Sequence, residues 1–481
     1  MSSLALRLVT ILSVMALVVS CARNPVTGER EFTLISESQE IELGQQADQD
    51  ISQSMGLYED EAWQEYVDEL GQRMAADSER PDLPWTFRVL DDPTVNAFAL
   101  PGGYIYLTRG ILAHFSSEAE MAGVLGHEIG HVTARHGVQQ VSRAQLAELG
   151  LGIGTVLAPE LQAFEDVAAA GLGLLFLSYG RDAERQADDL GLKYMTAEGY
   201  DPREMAATFE MLAAASGAAD GERLPGWLST HPDPMERRDR ILEEVEEGRV
   251  EVGDRVEREA YVQRLDGMPF GQDPREGFFD DGVFHHPEMT FRMTFPEGWQ
   301  TVNRPDAVQG MHPDQDAIVI LTLEDADSPE QAREGFIGQE GVQERARRSE
   351  SVGRLSAVWA DFDVVADDGG DLRGSAVFIQ HDGRVFRAMG YAVAQNWDAR
   401  QSAVMASLES FREETDPDVL AADPARMEVV RTQEDFTLEA FNDAYPSTVD
   451  LSTLGTINRV AEGETIPAGT LMKRVTGGAP H

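Results

Sequence analysis

The chain of 481 residues has one cysteine, two lysines (Lys193 and Lys473) and few aromatic residues, 7%. With Cys21 alone there is no partner for an intrachain disulfide and no set of thiolates for a metal, so any bound metal must be held by histidine and carboxylate. Positive charge is scarce: 39 basic residues face 85 acidic ones, a formal charge of −46, which repels a phosphate backbone at long range. Nucleic-acid binding is therefore excluded as a leading function. An acid-rich, lysine-poor surface suits saline surroundings, where screening removes self-repulsion, and equally a genome biased toward arginine codons. Uninterrupted apolar runs long enough to span a bilayer are also missing. Apolar residues as such are plentiful, 42%, and recur along the whole length. That rules out a disordered acidic polymer and leaves room for about two to four domains.

Near the N-terminus, Leu8 to Val19 is almost wholly apolar and follows Arg7, the pattern of a signal-peptide core. It leads through Val18-Val19-Ser20 into Cys21, which resembles a bacterial lipobox. On that resemblance residues 1–20 are a lipoprotein signal peptide and Cys21 becomes the lipidated first residue of an exported chain. Ala22 resembles the context that sorts to the outer membrane, so the expected location is the periplasm, lipid-anchored to that membrane.

Helical spacing marks Ser36 to Gln53 and Glu59 to Ala76, and strands are predicted over Trp85 to Leu90 and Ala97 to Thr108, the latter broken by Pro101-Gly102-Gly103. Ser117 with Glu120 forms a capping box and predicts a helix reaching about Arg143. Residues 149–177 predict a buried helical hairpin, and helices follow over Arg181 to Thr196, Pro202 to Ala215 and Pro234 to Glu247. Beyond Met268 the texture changes. Strands are predicted at Thr290 to Phe295, Ala317 to Leu323, Ala376 to Gln380 and Val385 to Val393, the last two joined by the turn signal His381-Asp382-Gly383-Arg384. The expected fold class is α+β: a mostly helical domain with a small edge sheet over 21–265, an α+β accessory domain over 268–414, a linker from Thr415 to Pro424, and a small module over 426–475. The accessory domain offers no metal or nucleophile constellation, and His285-His286 reads as a loop pair.

The informative segment is His127-Glu128-Ile129-Gly130-His131. Two histidines four apart share one helical face and can converge on one ion, with Glu128 beside the position where a water would bind. A catalytic zinc wants a third protein ligand from another element. Glu184 and Asp188, four apart on the edge of an apolar helical stripe, are the best candidates, and Glu165 is another.

The segments H-E-I-G-H-V-T-A-R-H from His127 to His136 and E-R-Q-A-D from Glu184 to Asp188 stand between Asn96-Ala97-Phe98-Ala99-Leu100-Pro101-Gly102-Gly103 upstream and Thr230-His231-Pro232 downstream. Together they resemble the gluzincin metallopeptidases related to HtpX, Oma and the CAAX prenyl proteases, above all the periplasmic members that handle outer-membrane proteins. The resemblance covers about Asn24 to Leu265 and implies a zincin-type fold with one zinc held by His127, His131 and Glu184. It makes Asp188 the carboxylate that orients a ligand histidine, Glu128 the base that activates water, and Asn96, Ala97 and Phe98 part of an edge strand that receives an extended peptide. His231 is implied to lie near the metal, either stabilising the oxyanion or capping the zinc so that the protease is silent, with Arg237 as the arginine that follows it. His136 falls on roughly the opposite side of the predicted helix from His127 and reads, with Arg135, as structural or as backing for a ligand, not as a ligand itself.

The tail, through Thr437-Leu438, Tyr445-Pro446, Leu451 to Asn458 and Ile466-Pro467-Ala468-Gly469, resembles a LysM module, which implies a β-α-α-β unit and peptidoglycan as a partner. The usual Gly-Asp before its first helix is replaced by Gln433-Glu434-Asp435, which puts glycan binding in doubt and leaves packing or substrate presentation as the alternative. The leading expectation is a metalloendopeptidase acting on unfolded or misassembled envelope proteins. A chaperone or assembly scaffold with a latent protease, and a cell-wall peptide hydrolase, are the alternatives.

Overall fold

The computed structural model describes residues 20–148, 178–215, 226–339, 341–364, 371–461 and 463–478. Residues 1–19 of the expected signal peptide (1–20), and the hairpin expected over 149–177 with the candidate ligand Glu165, lie outside the described residues. Helices and sheets are mixed, an α+β protein, and the chain divides into two compact units. One holds the residues up to Met268 together with Met427–Val475; the other is chiefly Pro269–Arg426. No described helix is long and apolar enough to cross a membrane.

The first unit opens with β1 (Ser20–Arg23), which contains Cys21 and pairs antiparallel with β2 (Arg30–Thr33). Helix α1 (Glu37–Met55) starts at a complete capping box between Ser36 and Gln39, and α2 (Glu61–Ala76) is capped by Asp60. A three-stranded sheet follows in the order β3 (Thr86–Leu90), β5 (Tyr104–Thr108), β4 (Ala97–Leu100), which leaves β4 at an edge. After the short α3 (Arg109–His114) comes α4 (Glu118–Thr133), every residue of which is buried.

Two details of α4 depart from expectation. Ser117 Oγ accepts from the Glu120 N–H, yet the Glu120 carboxylate accepts from the Ser116 N–H instead of closing back on Ser117, so the capping box is half made. The helix also ends at Thr133 instead of running to Arg143. Arg135 adopts φ 61°, and a separate α5 runs from His136 to Glu148. The cause is a buried anchor: Arg135 Nε lies 3.0 Å from Glu40 Oε2, and its Nη2 donates to the Ile35 carbonyl, contacts that outweigh the cost of a left-handed residue, about 1 to 2 kcal/mol.

Helices α6 (Arg181–Ala197), α7 (Arg203–Ala215), α8 (Trp227–Thr230), α9 (Pro234–Glu246) and α10 (Arg258–Arg264) follow among the described residues before Met268. Glycines let α4 and α6 approach backbone to backbone. A Cβ on Gly130 would lie 2.9 Å from the Ala187 carbonyl oxygen, and one on Gly126 2.9 Å from that of Gly191. The tail follows the order strand Arg426–Arg431, helix Leu438–Ala444, helix Leu451–Asn458, strand Leu471–Thr476, with the two strands paired.

The second unit is built on a seven-stranded antiparallel sheet whose third and fourth strands, Leu372–His381 and Arg384–Val393, form the predicted hairpin. Asp382 and Gly383 take φ of 46° and 75° in its two-residue turn. Alternation along the strands gives two cores. Trp359, Val377 and Ile379 face helix Trp397–Leu408, and Phe362, Ala376 and Phe378 face helix Pro329–Ile337. His285 and His286 are not in a loop but in strand Val283–His286, where Glu414 accepts from His285 Nδ1. His312, Asp314 and Asp316 do gather, contrary to expectation, but Arg400 takes both carboxylates at 3.0 Å. The linker stretch holds a helical turn, Pro417–Leu420.

Candidate metal centre

Helix α4 carries His127 and His131 one turn apart, and their Nε2 atoms face each other at 3.0 Å. Because α6 packs so closely, Glu184 reaches across: its Oε2 lies 3.7 Å from His127 Nε2 and its Oε1 3.6 Å from His131 Nε2. His231, just after α8, brings Nδ1 to 3.0 Å from Glu184 Oε1 and 3.5 Å from His127 Nε2. Donor atoms of these four buried residues all lie within 4.8 Å of one another. Asp188, the other acid considered for the third ligand, stands behind His127 instead.

These residues fit a metal ion. Burial pushes His127 down to about 4 and His131 and His231 well below the ordinary histidine range, so the imidazoles are neutral and offer lone pairs. The Nε2 atoms of His127 and His131 face each other at 3.0 Å, and both oxygens of Glu128, 0% exposed, have no hydrogen-bond partner among the described residues. A buried carboxylate left so is costly unless something else meets it. Burial, reinforced by the Glu184 charge, raises Glu128 to about 8, while the Arg237 charge opposes the rise. Its Oε1 is 3.7 Å from His231 Nε2.

Polar groups behind the donors fix their orientation. Asp188 Oδ1 accepts from His127 Nδ1 at 3.0 Å and from Arg237 Nη2 at 2.6 Å, and Arg240 reaches Oδ2 at 3.2 Å. Burial alone would raise Asp188, but Arg237 and His127 hold it well below the usual carboxylate range. Arg237 also places Nη1 2.8 Å from Glu184 Oε2, with its guanidinium against the rings of Phe209 and Trp227. His136 is not turned away: the break at Arg135 swings it back so that Nδ1 lies 3.0 Å from His131 Nδ1 and Nε2 3.0 Å from Gln186. Two neighbours escaped the sequence reading. Tyr179 lies against His131 with centroids 3.9 Å apart, and Trp227 stacks on His231 at 4.4 Å. Their one signal was position: Trp227 stands four residues before His231, and Tyr179 just before the helix that carries Glu184.

The expected receiving strand is β4, at the sheet edge, but not all its named residues face outward. The Thr108 N–H bonds to the Asn96 carbonyl at 3.1 Å, which makes Asn96 and Thr108 a hydrogen-bonded pair. By alternation the main-chain groups of Asn96 and Phe98 turn into β5, while those of Ala97 and Ala99 face the open edge.

Residues 61–245 match the family described as peptidase family M48. The chain is 37% identical over 164 residues to the mitochondrial metalloendopeptidase OMA1 of Arabidopsis thaliana, covering 34% of this chain and 32% of that one. It is 28% identical over 222 residues to the beta-barrel assembly-enhancing protease of Escherichia coli K12, covering 44% of this chain and 45% of the other, so it spans less than half the length of either relative. The OMA1 metalloendopeptidase of Schizosaccharomyces pombe is 32% identical over 232 residues, 47% of this chain and 67% of that relative. This chain belongs to peptidase family M48.

Proposed function

We propose that the protein is a zinc-dependent endopeptidase that cleaves unfolded or misassembled envelope proteins. The observation that carries the reading is Glu128, buried without a hydrogen-bond partner beside the donors His127, His131 and Glu184. A set of two imidazoles and one carboxylate suits catalytic zinc. Zinc, when bound, supplies the Lewis acidity that acidifies a water and polarises the scissile carbonyl. Glu128 takes the proton of the attacking water and passes it to the leaving amine. Ala97 and Ala99 offer main-chain groups to a substrate laid along β4, a mode that selects extended chain more than particular side chains. The relatives named beta-barrel assembly-enhancing protease support envelope proteins as substrates. Export and lipid anchoring at Cys21 to the outer membrane complete the proposal, with the LysM-like tail as the contact to peptidoglycan.

His231 favours a second reading. As a fourth donor it can complete the metal's coordination and keep the protease latent, leaving a chaperone or scaffold role. The test compares wild type with Glu128→Gln on casein, an unfolded outer-membrane protein and peptidoglycan peptides, after chelation and again after zinc is restored. Zinc-dependent cleavage of the unfolded proteins, reduced about 10²- to 10⁴-fold by the substitution, is expected. If neither protein cleaves and both suppress aggregation, the scaffold reading replaces it. Cleavage of peptidoglycan peptides alone would make it a cell-wall hydrolase.

A further inference from the structure

We infer that Lys473 and Arg459 are positioning residues, through which the C-terminal tail holds the turn that opens the active-site helix α4. The tail is then a working part of the peptidase and not a freely tethered binding module. This inference rests on the peptidase reading above.

Lys473, in the last strand, is 1% exposed. Its ammonium donates to the Phe115 carbonyl at 2.7 Å and the Ala113 carbonyl at 3.3 Å, at the end of α3. Carbonyls there have no partner within their helix, and the helix dipole favours a cation. Arg459 follows the tail's second helix in a left-handed conformation, φ 57°. It forks onto Glu120 of α4, with Nη2 2.8 Å from Oε2 and Nε 3.2 Å from Oε1. Glu120 is 0% exposed, and its Oε2 also accepts from the Ser116 N–H at 2.7 Å. Ser116 Oγ in turn donates to the Ile457 carbonyl at 3.3 Å.

The two cations are tied to each other as well. Asn458 accepts from the Lys473 N–H and donates to the Lys473 carbonyl, joining the end of the helix to the strand. The bonds that Lys473, Arg459 and Ile457 make outside the tail converge on residues 113–120. A buried ammonium and a buried carboxylate are tolerable only while their partners are present, and undocking the tail would take from Glu120 the Arg459 cation and leave it the Ser116 N–H alone. From Glu120, α4 runs about two turns to His127 and Glu128, and a rigid helix carries a shift at its start to those side chains. Glu184 sits on a different helix and would not follow.

The test uses the full chain with a specific protease site inserted between Ala421 and Asp423, as wild type, Lys473→Met, Arg459→Met and the conservative Lys473→Arg and Arg459→Lys. After cutting, the wild-type tail is expected to co-elute with the remainder and activity on an unfolded protein to persist. Both Met variants should release the tail when cut. Uncut, they should lose at least 10-fold in kcat with little change in KM and yield zinc faster to a chelator, with partial recovery in the conservative pair. A wild-type tail that leaves on cutting while activity stays, or Met variants with normal kcat and zinc release, would overturn the inference. If uncut wild type cleaves nothing, the peptidase reading fails on its own, and tail retention and zinc release still decide whether the tail positions α4.

Discussion

Asp188 Oδ1 lies 3.0 Å from His127 Nδ1, and this contact decides which imidazole nitrogen faces the other donors. With Nδ1–H donating to the carboxylate, Nε2 keeps its lone pair toward His131, Glu184 and His231. An asparagine in its place loses the charge that also pairs with Arg237 and Arg240. Asp188→Asn is expected to weaken metal binding by about 10- to 100-fold, measured by competition with a chromophoric chelator. An unchanged affinity would mean that the contact does not tune the site.

His231 is within reach of both Glu184 and Glu128, so its two possible roles make opposite predictions. Burial keeps it neutral, which suits a ligand better than a cationic donor to an oxyanion. His231→Ala is therefore expected to raise turnover of an unfolded protein while the metal is released more readily. A fall in kcat of about 10²-fold with metal retained would assign it to the oxyanion instead.

The fold was legible where the hydrophobic period and turn chemistry are local. The three- and four-residue spacing placed the helices at Glu37–Met55 and Glu61–Ala76 to within a few residues, and the turn His381 to Arg384 fixes its hairpin. Within the centre, the four-residue spacing of His127 and His131 carried the helix face, but periodicity could not single out Glu184 from Asp188, because choosing needs the crossing of α4 and α6. The break at Arg135 was hidden for a related reason. Its cause is Glu40, 95 residues away, and a local pattern of helix formers contains no trace of that partner. The tail's docking was equally silent, since a lone lysine in a strand reads as solvated until the Phe115 carbonyl is placed beside it.

Gly130 offers a direct check on that crossing. Alanine should favour an isolated helix by about 1 kcal/mol, but here its Cβ would meet the Ala187 backbone at 2.9 Å. Gly130→Ala is expected to destabilise the protein by about 1 to 3 kcal/mol in urea unfolding and to weaken metal binding by displacing α6 and its Glu184. Gly335→Ala is the control, in a helix of the second unit where a Cβ meets nothing within 4 Å; it should be neutral or slightly stabilising. If both substitutions behave alike, close packing is not what sets the α4–α6 approach.

His114 gives the acid side of the stability curve. Burial lowers it to about 4 from the ordinary 6.5, and the nearby Lys473 and Arg459 charges push the same way against its bond to the Gly110 carbonyl. Between pH 6.5 and 4 the unfolded chain binds a proton that the folded chain refuses, so stability is fully present above 6.5 and falls as pH drops through this window. The loss from this one residue is up to about 3 kcal/mol. His286, lowered to about 4 chiefly by burial, adds a contribution of the same sign in the other unit. Unfolding monitored from pH 7.5 to 4 should show the decline, and His114→Gln should flatten part of it while leaving the His286 contribution. A slope unchanged by the substitution would mean that His114 titrates alike in the folded and unfolded chain.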